Sequence, residues 1–376
     1  MTPRRTLVQR LHASPFQGVL AITGGGSGAI VELLQVPGAS SSVLEAIVPY
    51  SEASLAALLG GVPDQACHVA TARAMAMAAF RRAQTLTDAP ANDVFGLGAS
   101  ASLRTLDPKR GDHRMHIAVQ TLASTLSWSL TLEKDARSRQ KEEALAVDLI
   151  LRALAEGAGI EDSLPLALRA NEKIDFQRHD AEPHWHGLLS GELSAVTHPP
   201  PPKRERRIIF PGSFNPYHEG HRRMAELAQR HLGMPVEYEL CIHNVDKPTL
   251  DYADLRSRTQ QFPTGATVWL TATPTFVEKS EVFPGASFIV GTDTLVRIGE
   301  SRYYDGDEDR RNRAIEAIVA HGCRFIVFAR KIGERFVSLE DLELPHELSA
   351  ICDTLPHPFR VDVSSTELRQ GEENAG

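Results

Sequence analysis

The sequence predicts an α/β chain of two domains, the second built on a doubly wound parallel sheet. Short apolar runs at residues 19–22 (VLAI), 208–210 (IIF), 287–290 (SFIV) and 325–328 (FIVF) alternate with stretches of helical spacing. Continuous runs of this kind suit parallel strands buried on both faces. At 376 residues the chain exceeds one ordinary core, and residues 198–202 (HPPPP) form a stiff spacer inside it. The expected parts are a first domain at 1–160, a connector at 161–205 and a second domain at 206–376.

Composition excludes several functions. A formal charge of −8 leaves no basic excess to neutralise a nucleic-acid backbone, and no apolar run is long enough to span a bilayer. Residues 203–207 (KRERR) read as the solvated end of the linker. Cys67, Cys241, Cys323 and Cys352 lie far apart without CxxC spacing, so neither a zinc site nor a disulfide framework is expected. No apolar h-region follows Arg4 and Arg5, and a cytoplasmic location is expected. The sequence is compatible with a homo-oligomer.

In the first domain, a strand at 19–22 runs into the glycine-rich turn 23–28 (TGGGSG) and a helix at 29–34. An alanine- and methionine-rich helix follows at 68–86. Residues 133–156 carry apolar positions at Ala144, Ala146, Leu149, Ile150 and Leu154, which predicts an amphipathic helix closing the domain. The stretch 160–196 is irregular. Its His179, His184 and His186 invite a metal-site reading, but the neighbouring Pro and Gly favour a surface connector, and no metal site is expected.

With the segment 37–40 (PGAS), Tyr50 and residues 96–98 (GLG), which are similar to a later loop of the family, the first 160 residues resemble the C-terminal domain of the CinA family, whose members include nicotinamide mononucleotide deamidases. In that alignment the nucleophilic serine falls on Thr23, its acidic neighbour on Ile22 and the activating lysine on Leu55. A hydroxyl is a weak nucleophile without a base, and leucine is none. The resemblance therefore implies a degenerate deamidase-like domain with a vestigial site at Thr23, Gly24 and Tyr50. Arg139 falls near an arginine of the family's phosphate-side motif, although a solvated helix charge is the simpler reading.

The second domain opens on residues 208–221 (IIFPGSFNPYHEGH): strand, loop, then a helix whose apolar side carries Met224, Leu227, Ala228 and Leu232. Such a turn aims backbone N–H groups and a helix dipole at one point, where a phosphate settles, and His218 and His221 share the face that reaches it. Strands are expected at 236–243, 268–271, 287–290 and 325–328, and a helix at 254–262. The strand at 287–290 ends in Gly291-Thr292-Asp293, where Asp293 could cap a helix. Residues 364–369 (SSTELR) place hydroxyls at a helix start with an arginine one turn later, a phosphate clasp in physical terms.

The segment GSFNPYHEGH resembles the HxGH signature of the nucleotidyltransferase superfamily, most closely that of nicotinamide/nicotinate mononucleotide adenylyltransferases. FIVGTDTL is similar to that family's FIxGxD segment and VDVSSTELR to its ISSTxxR motif. The resemblance implies a Rossmann-like domain that transfers AMP from ATP, with Mg2+, to a pyridine mononucleotide. His218, His221 and Arg369 would be catalytic. Gly212, Ser213, Phe214, Gly291, Asp293, Ser364, Ser365 and Thr366 would hold ATP. Asn215, Lys247, Tyr303 and Tyr304 would meet the mononucleotide, a tyrosine standing where the family usually has tryptophan. Three other readings stay open: a bifunctional deamidase-adenylyltransferase, another cytidylyltransferase-like enzyme, and a non-catalytic pyridine-nucleotide sensor.

Overall fold

A computed structural model describes residues 2–107, 109–161, 163–204, 206–243, 248–332 and 335–355. Two compact units divide them, one of residues 2–190 with 248–255, the other of residues 191–243 with 256–355. Among the described residues no helix is long and apolar enough to cross a membrane, and the four cysteines are free.

The first unit runs α1 (Pro3–His12), β1 (Gln17–Thr23), α2 (Gly28–Leu34), β2 (Val43–Ile47), α3 (Glu52–Leu59), α4 (Val69–Leu86), β3 (Val94–Ser102), β4 (His113–Gln120), β5 (Ser124–Leu132), α5 (Arg139–Gly157), β6 (Ile174–Asp180) and α6 (His186–Leu189). Its sheet has the order β2-β1-β3-β4-β5-β6, parallel over the first three strands and antiparallel over the last three. Leu20, Ile22, Leu97, Ile117 and Val119 on one face pack with Leu145, Leu149 and Ile150 of α5. The opposite face takes α4.

Three sequence expectations are corrected in this unit. Residues 96–98 are not a loop but the middle of β3. The glycines are there because α4 lies directly on the strand: a Cβ at Gly98 would stand 2.1 Å from the Ala72 carbonyl and 2.5 Å from Ala76 N. Gly98→Ala is therefore expected to destabilise this unit by about 1–3 kcal/mol, read as an earlier midpoint in urea. The helix expected from 133 starts at Arg139, because Ser138 adopts an extended backbone and its side chain accepts the Lys141 N–H as an N-cap. Within the stretch read as irregular lies β6, a regular strand paired with residues Ser124 to Leu130 of β5.

Residues 248–255 belong to this unit through polar anchors. Tyr252 is fully buried, its hydroxyl donates to Leu122 O at 2.5 Å, and Trp185 stacks on its ring at 5.9 Å. Arg73 reaches Asp251 at 2.7 Å and Asp254 at 3.0 Å. Nothing in local spacing could announce contacts between residues so far apart in the chain.

The second unit contains β7 (Ala195–Thr197), β8 (Ile208–Pro211), α7 (Glu219–Leu232), β9 (Val236–Cys241), α8 (Tyr252–Thr259, its first turn counted above), β10 (Val268–Thr271), α9 (Phe276–Val282), β11 (Ser287–Gly291), α10 (Thr292–Gly299), α11 (Glu308–Ala320), β12 (Arg324–Phe328), β13 (Arg330–Ile332), β14 (Arg335–Val337), α12 (His346–Ser349) and β15 (Cys352–Thr354). The strand expected over 236–243 stops at Cys241, and the helix expected over 254–262 spans Tyr252–Thr259, beginning two residues and ending three residues earlier.

Its main sheet reads β15-β12-β11-β8-β9-β10-β7, with β7 the antiparallel edge and the rest parallel. From β8 the chain winds outward through β9 and β10, then returns to lay β11, β12 and β15 on the other side. That reversal is the switch point of a doubly wound sheet, and it leaves a crevice at the carboxyl ends of β8 and β11. Arg207 is no solvated linker end: it pairs with Glu237 at 2.8 Å and lies over the Trp269 ring at 5.5 Å.

Candidate functional site

Two elements meet at the switch point, the β8–α7 connection and the start of α10. In the connection, Phe214 takes the left-handed backbone (φ 41°) and turns its ring fully inward, edge-on to His221 at 5.0 Å. A side chain at Gly212 would come within 2.7 Å of that ring, so glycine is required there. The Gly212 N–H donates to Glu239 O at 3.0 Å, which corrects its expected role: that donor is consumed by the sheet. The Ser213 carbonyl accepts from Arg258 Nη1 at 3.0 Å and fixes the loop from below. Asn215 is half-buried in the same loop.

His218 and His221 form the N-terminal capping box of α7. The Gly220 N–H donates to His218 Nδ1 at 3.1 Å, and the His218 N–H donates to His221 Nδ1 at 3.2 Å. Each Nδ1 is thus an acceptor, and a neutral imidazole with Nδ1 accepting carries its proton on Nε2. The rings stack at 3.8 Å between centroids, with Tyr217 layered on the far side of His221 at 5.7 Å.

Burial keeps both imidazoles neutral. Desolvation first, then the charge of Arg330, holds His218 below the usual imidazole range. Desolvation, with His218 and Arg330 behind it, pushes His221 down to about 3. Both are nine-tenths buried, and the Nε2 of His218 has no hydrogen-bond partner among the described residues. A buried N–H donor without an acceptor is costly unless something fills the place. Because the folded pKa lies below the unfolded one, unfolded chains take up protons first as pH falls. Stability on this account is lost from about pH 6.5 downward. A lower urea midpoint for this unit at pH 5 than at pH 7.5 is the expected result.

Across the crevice, Gly291 is the N-cap of α10, and Asp293 is exposed in its first turn rather than being the cap. A Cβ at Gly291 would lie 2.3 Å from the Asp293 carboxylate and 2.8 Å from Arg330 Cγ, so these three residues converge. The Arg330 N–H donates to Thr292 Oγ1 at 3.2 Å, which sets where the guanidinium can reach. Sequence reading missed Arg330 as a site residue, and its signal was position: a cation just past the carboxyl end of β12, one strand from the switch point. Lys247, Ser364, Ser365, Thr366 and Arg369 lie outside the described residues. Tyr304 is engaged structurally, its hydroxyl donating to Ile298 O at 3.1 Å, whereas Tyr303 is 43% exposed beside Arg302 at 4.9 Å.

The first unit's strand–turn–helix is differently disposed. The Thr23 hydroxyl is buried and donates to Pro49 O at 2.9 Å, Leu55 is buried in α3, and Tyr50 is 72% exposed. The N–H groups of Gly26 and Gly28 donate to the Glu143 carboxylate at 2.9 and 3.3 Å. Arg139 donates to Gly24 O at 3.0 Å and lies 3.7 Å from Glu143. The chain's own carboxylate therefore sits where the glycine turn could receive an anion. An open cleft of about 950 Å³ at the start of α5 is lined by Arg104, Arg137, Arg139 and Lys141.

The second unit is thus a doubly wound α/β sheet with a stacked, buried imidazole pair at its switch point. Residues 209–371 match the family model described as cytidylyltransferase-like, which supports a nucleotidyltransferase domain in this region. No curated protein sequence matches the chain. Among solved structures, the competence/damage inducible protein CihA from Agrobacterium tumefaciens is 18% identical at a TM-score of 0.34, covering 42% of this chain and 94% of that one. A CinA superfamily protein from Escherichia coli gives 18% identity and a TM-score of 0.33 over 41% of this chain and 87% of that one. The competence damage-inducible protein A from Klebsiella pneumoniae gives 16% and 0.31 over 41% and 96%.

Proposed function

We propose that the second unit transfers AMP from ATP to the phosphate of nicotinamide or nicotinate mononucleotide, releasing pyrophosphate and forming the dinucleotide. The observation that carries this reading is the buried Nε2 of His218, which has no hydrogen-bond partner among the described residues, paired with a second imidazole in the same tautomer. A phosphate oxygen of the mononucleotide attacks the α-phosphorus of ATP. The new P–O bond forms as the bond to the bridging oxygen breaks, and the electron pair leaves with pyrophosphate.

No side chain needs to become a nucleophile, since the substrate phosphate already is one. Catalysis reduces to alignment and to stabilising charge that develops on the phosphoryl oxygens. Neutral Nε2–H groups suit that task because they donate without a proton to lose near neutral pH. Arg330, close enough to depress both imidazoles, supplies the positive charge that they lack. Magnesium enters with ATP as part of the substrate.

The adenylyl reading over cytidylyl transfer rests on the GSFNPYHEGH resemblance, and the first unit is read as non-catalytic because Thr23 has no base. Incubating the chain with Mg2+, ATP or CTP, and either mononucleotide tests both. Dinucleotide and pyrophosphate are expected with ATP only, and no ammonia is expected from nicotinamide mononucleotide. Turnover with CTP alone would move the assignment to cytidylyl transfer. Ammonia release abolished by Thr23→Val would restore the deamidase.

A further inference from the structure

The first unit's sheet stops at β6, and that edge is unusual. Helices α4 and α5 pack over β1 to β5, while the residues from Asp175 to Arg178 in β6 are exposed on both faces. Phe176 stays 45% exposed even though its ring lies tilted against Trp128 at 5.0 Å. Solitary edges are ordinarily blunted by proline, a bulge or repelling charge. Residues 174–180 (IDFQRHD) contain no proline or glycine, and their register with β5 is unbroken from Leu130↔Ile174 to Ser124↔Asp180.

Within the strand Arg178 pairs with Asp180 at 2.7 Å and the Gln177 amide donates to Asp175 at 3.3 Å, and the same side chains are self-complementary between two copies. Two copies related by a two-fold axis normal to the sheet pair antiparallel, and both faces continue only when opposed residues share a face. Centring the axis on Gln177 sets Asp175 opposite His179 and Phe176 opposite Arg178, with the Gln177 amides facing each other. An acid meets a base, and a guanidinium meets an aromatic face. Centring on Arg178 instead opposes two guanidiniums. Centring on Phe176 opposes Lys173 to His179.

From this we propose that β6 is the interface of a homodimer, joining two first-unit sheets edge to edge in the Gln177-centred register. The backbone groups of β6 that face away from β5 gain partners, and the Trp128–Phe176 strip continues across the axis. The proposal concerns assembly and is independent of the adenylyl-transfer reading.

Sedimentation of the full chain tests it. A mass twice the 41.2 kDa of one chain, falling on dilution, is expected. Asp175→Lys removes the acid that faces the His179 imidazole at both ends of the interface and should weaken the dimer by roughly tenfold. Adding His179→Asp should restore it, an outcome that general damage to the fold would not give. Oxidised Gln177→Cys should yield a covalent dimer under conditions where wild type yields none. A monomer at every concentration, a dimer indifferent to Asp175→Lys, a swap that fails to restore, or absence of the Gln177→Cys crosslink each overturns the proposal.

Discussion

His221→Ala is expected to lower the rate of adenylyl transfer by roughly 10²–10³, the cost of deleting one preorganised donor at a developing oxyanion. The loss should fall on kcat more than on KM, because the donor earns its effect as charge builds on the phosphoryl oxygens. His218→Ala should behave alike, although it also removes the N-cap of α7, so its unfolding midpoint must be measured alongside. Asparagine at 218 separates the two roles. Its side chain can still accept the Gly220 N–H, and α7 should hold while turnover falls. If both variants kept wild-type kcat, the imidazole pair would be only a helix cap.

Lys279→Met is expected to be the most damaging substitution for stability. Lys279 Nζ and Glu239 Oε1 lie 2.6 Å apart, both side chains at most 5% exposed, and Thr271 donates to the same oxygen. Removing the ammonium leaves a buried carboxylate whose other oxygen already has no partner among the described residues. Breaking such a pair from one side costs about 3–5 kcal/mol. For a unit of this size the transition should fall by on the order of 10 °C. Replacing both partners, Glu239→Leu with Lys279→Met, should recover most of the loss, since two apolar side chains carry no stranded charge. Calorimetry of the single and double variants checks this, and a single variant as stable as the double would contradict it.

What could be read from the sequence was what chemistry forces locally. The strand at Ile208 and the helix after it could be read from apolar spacing broken by Pro211-Gly212, while the paired histidines were singled out by their place in the first helical turn and by the family resemblance. The run 287–291 could be placed for the same reason, as a strand apolar on both faces. Arg330 was missed because its relevance depends on β12 lying beside β11, and sheet order is not written in spacing. Gly96 and Gly98 were misread because a glycine forced by a helix lying on a strand has the same letters as a glycine in a loop. The plugging of the first unit's glycine turn by Glu143 could not be seen either, since α5 stands far along the chain from β1. Strand β6 was overlooked because its alternating charges lack the apolar face by which strands are recognised.

The account depends on the capping box fixing both imidazoles as neutral Nε2–H donors toward a triphosphate. Nitrogen-15 NMR of the histidine side chains, recorded across neutral pH and then with ATP and Mg2+, tests it most directly. His221 is predicted to show unprotonated Nδ1 and protonated Nε2 from about pH 5.5 to 8, and His218 the same neutral tautomer at neutral pH, with the His218 and His221 Nε2 resonances shifting together when ATP is added. Imidazolium signals near pH 6.5, or resonances indifferent to ATP, would contradict it.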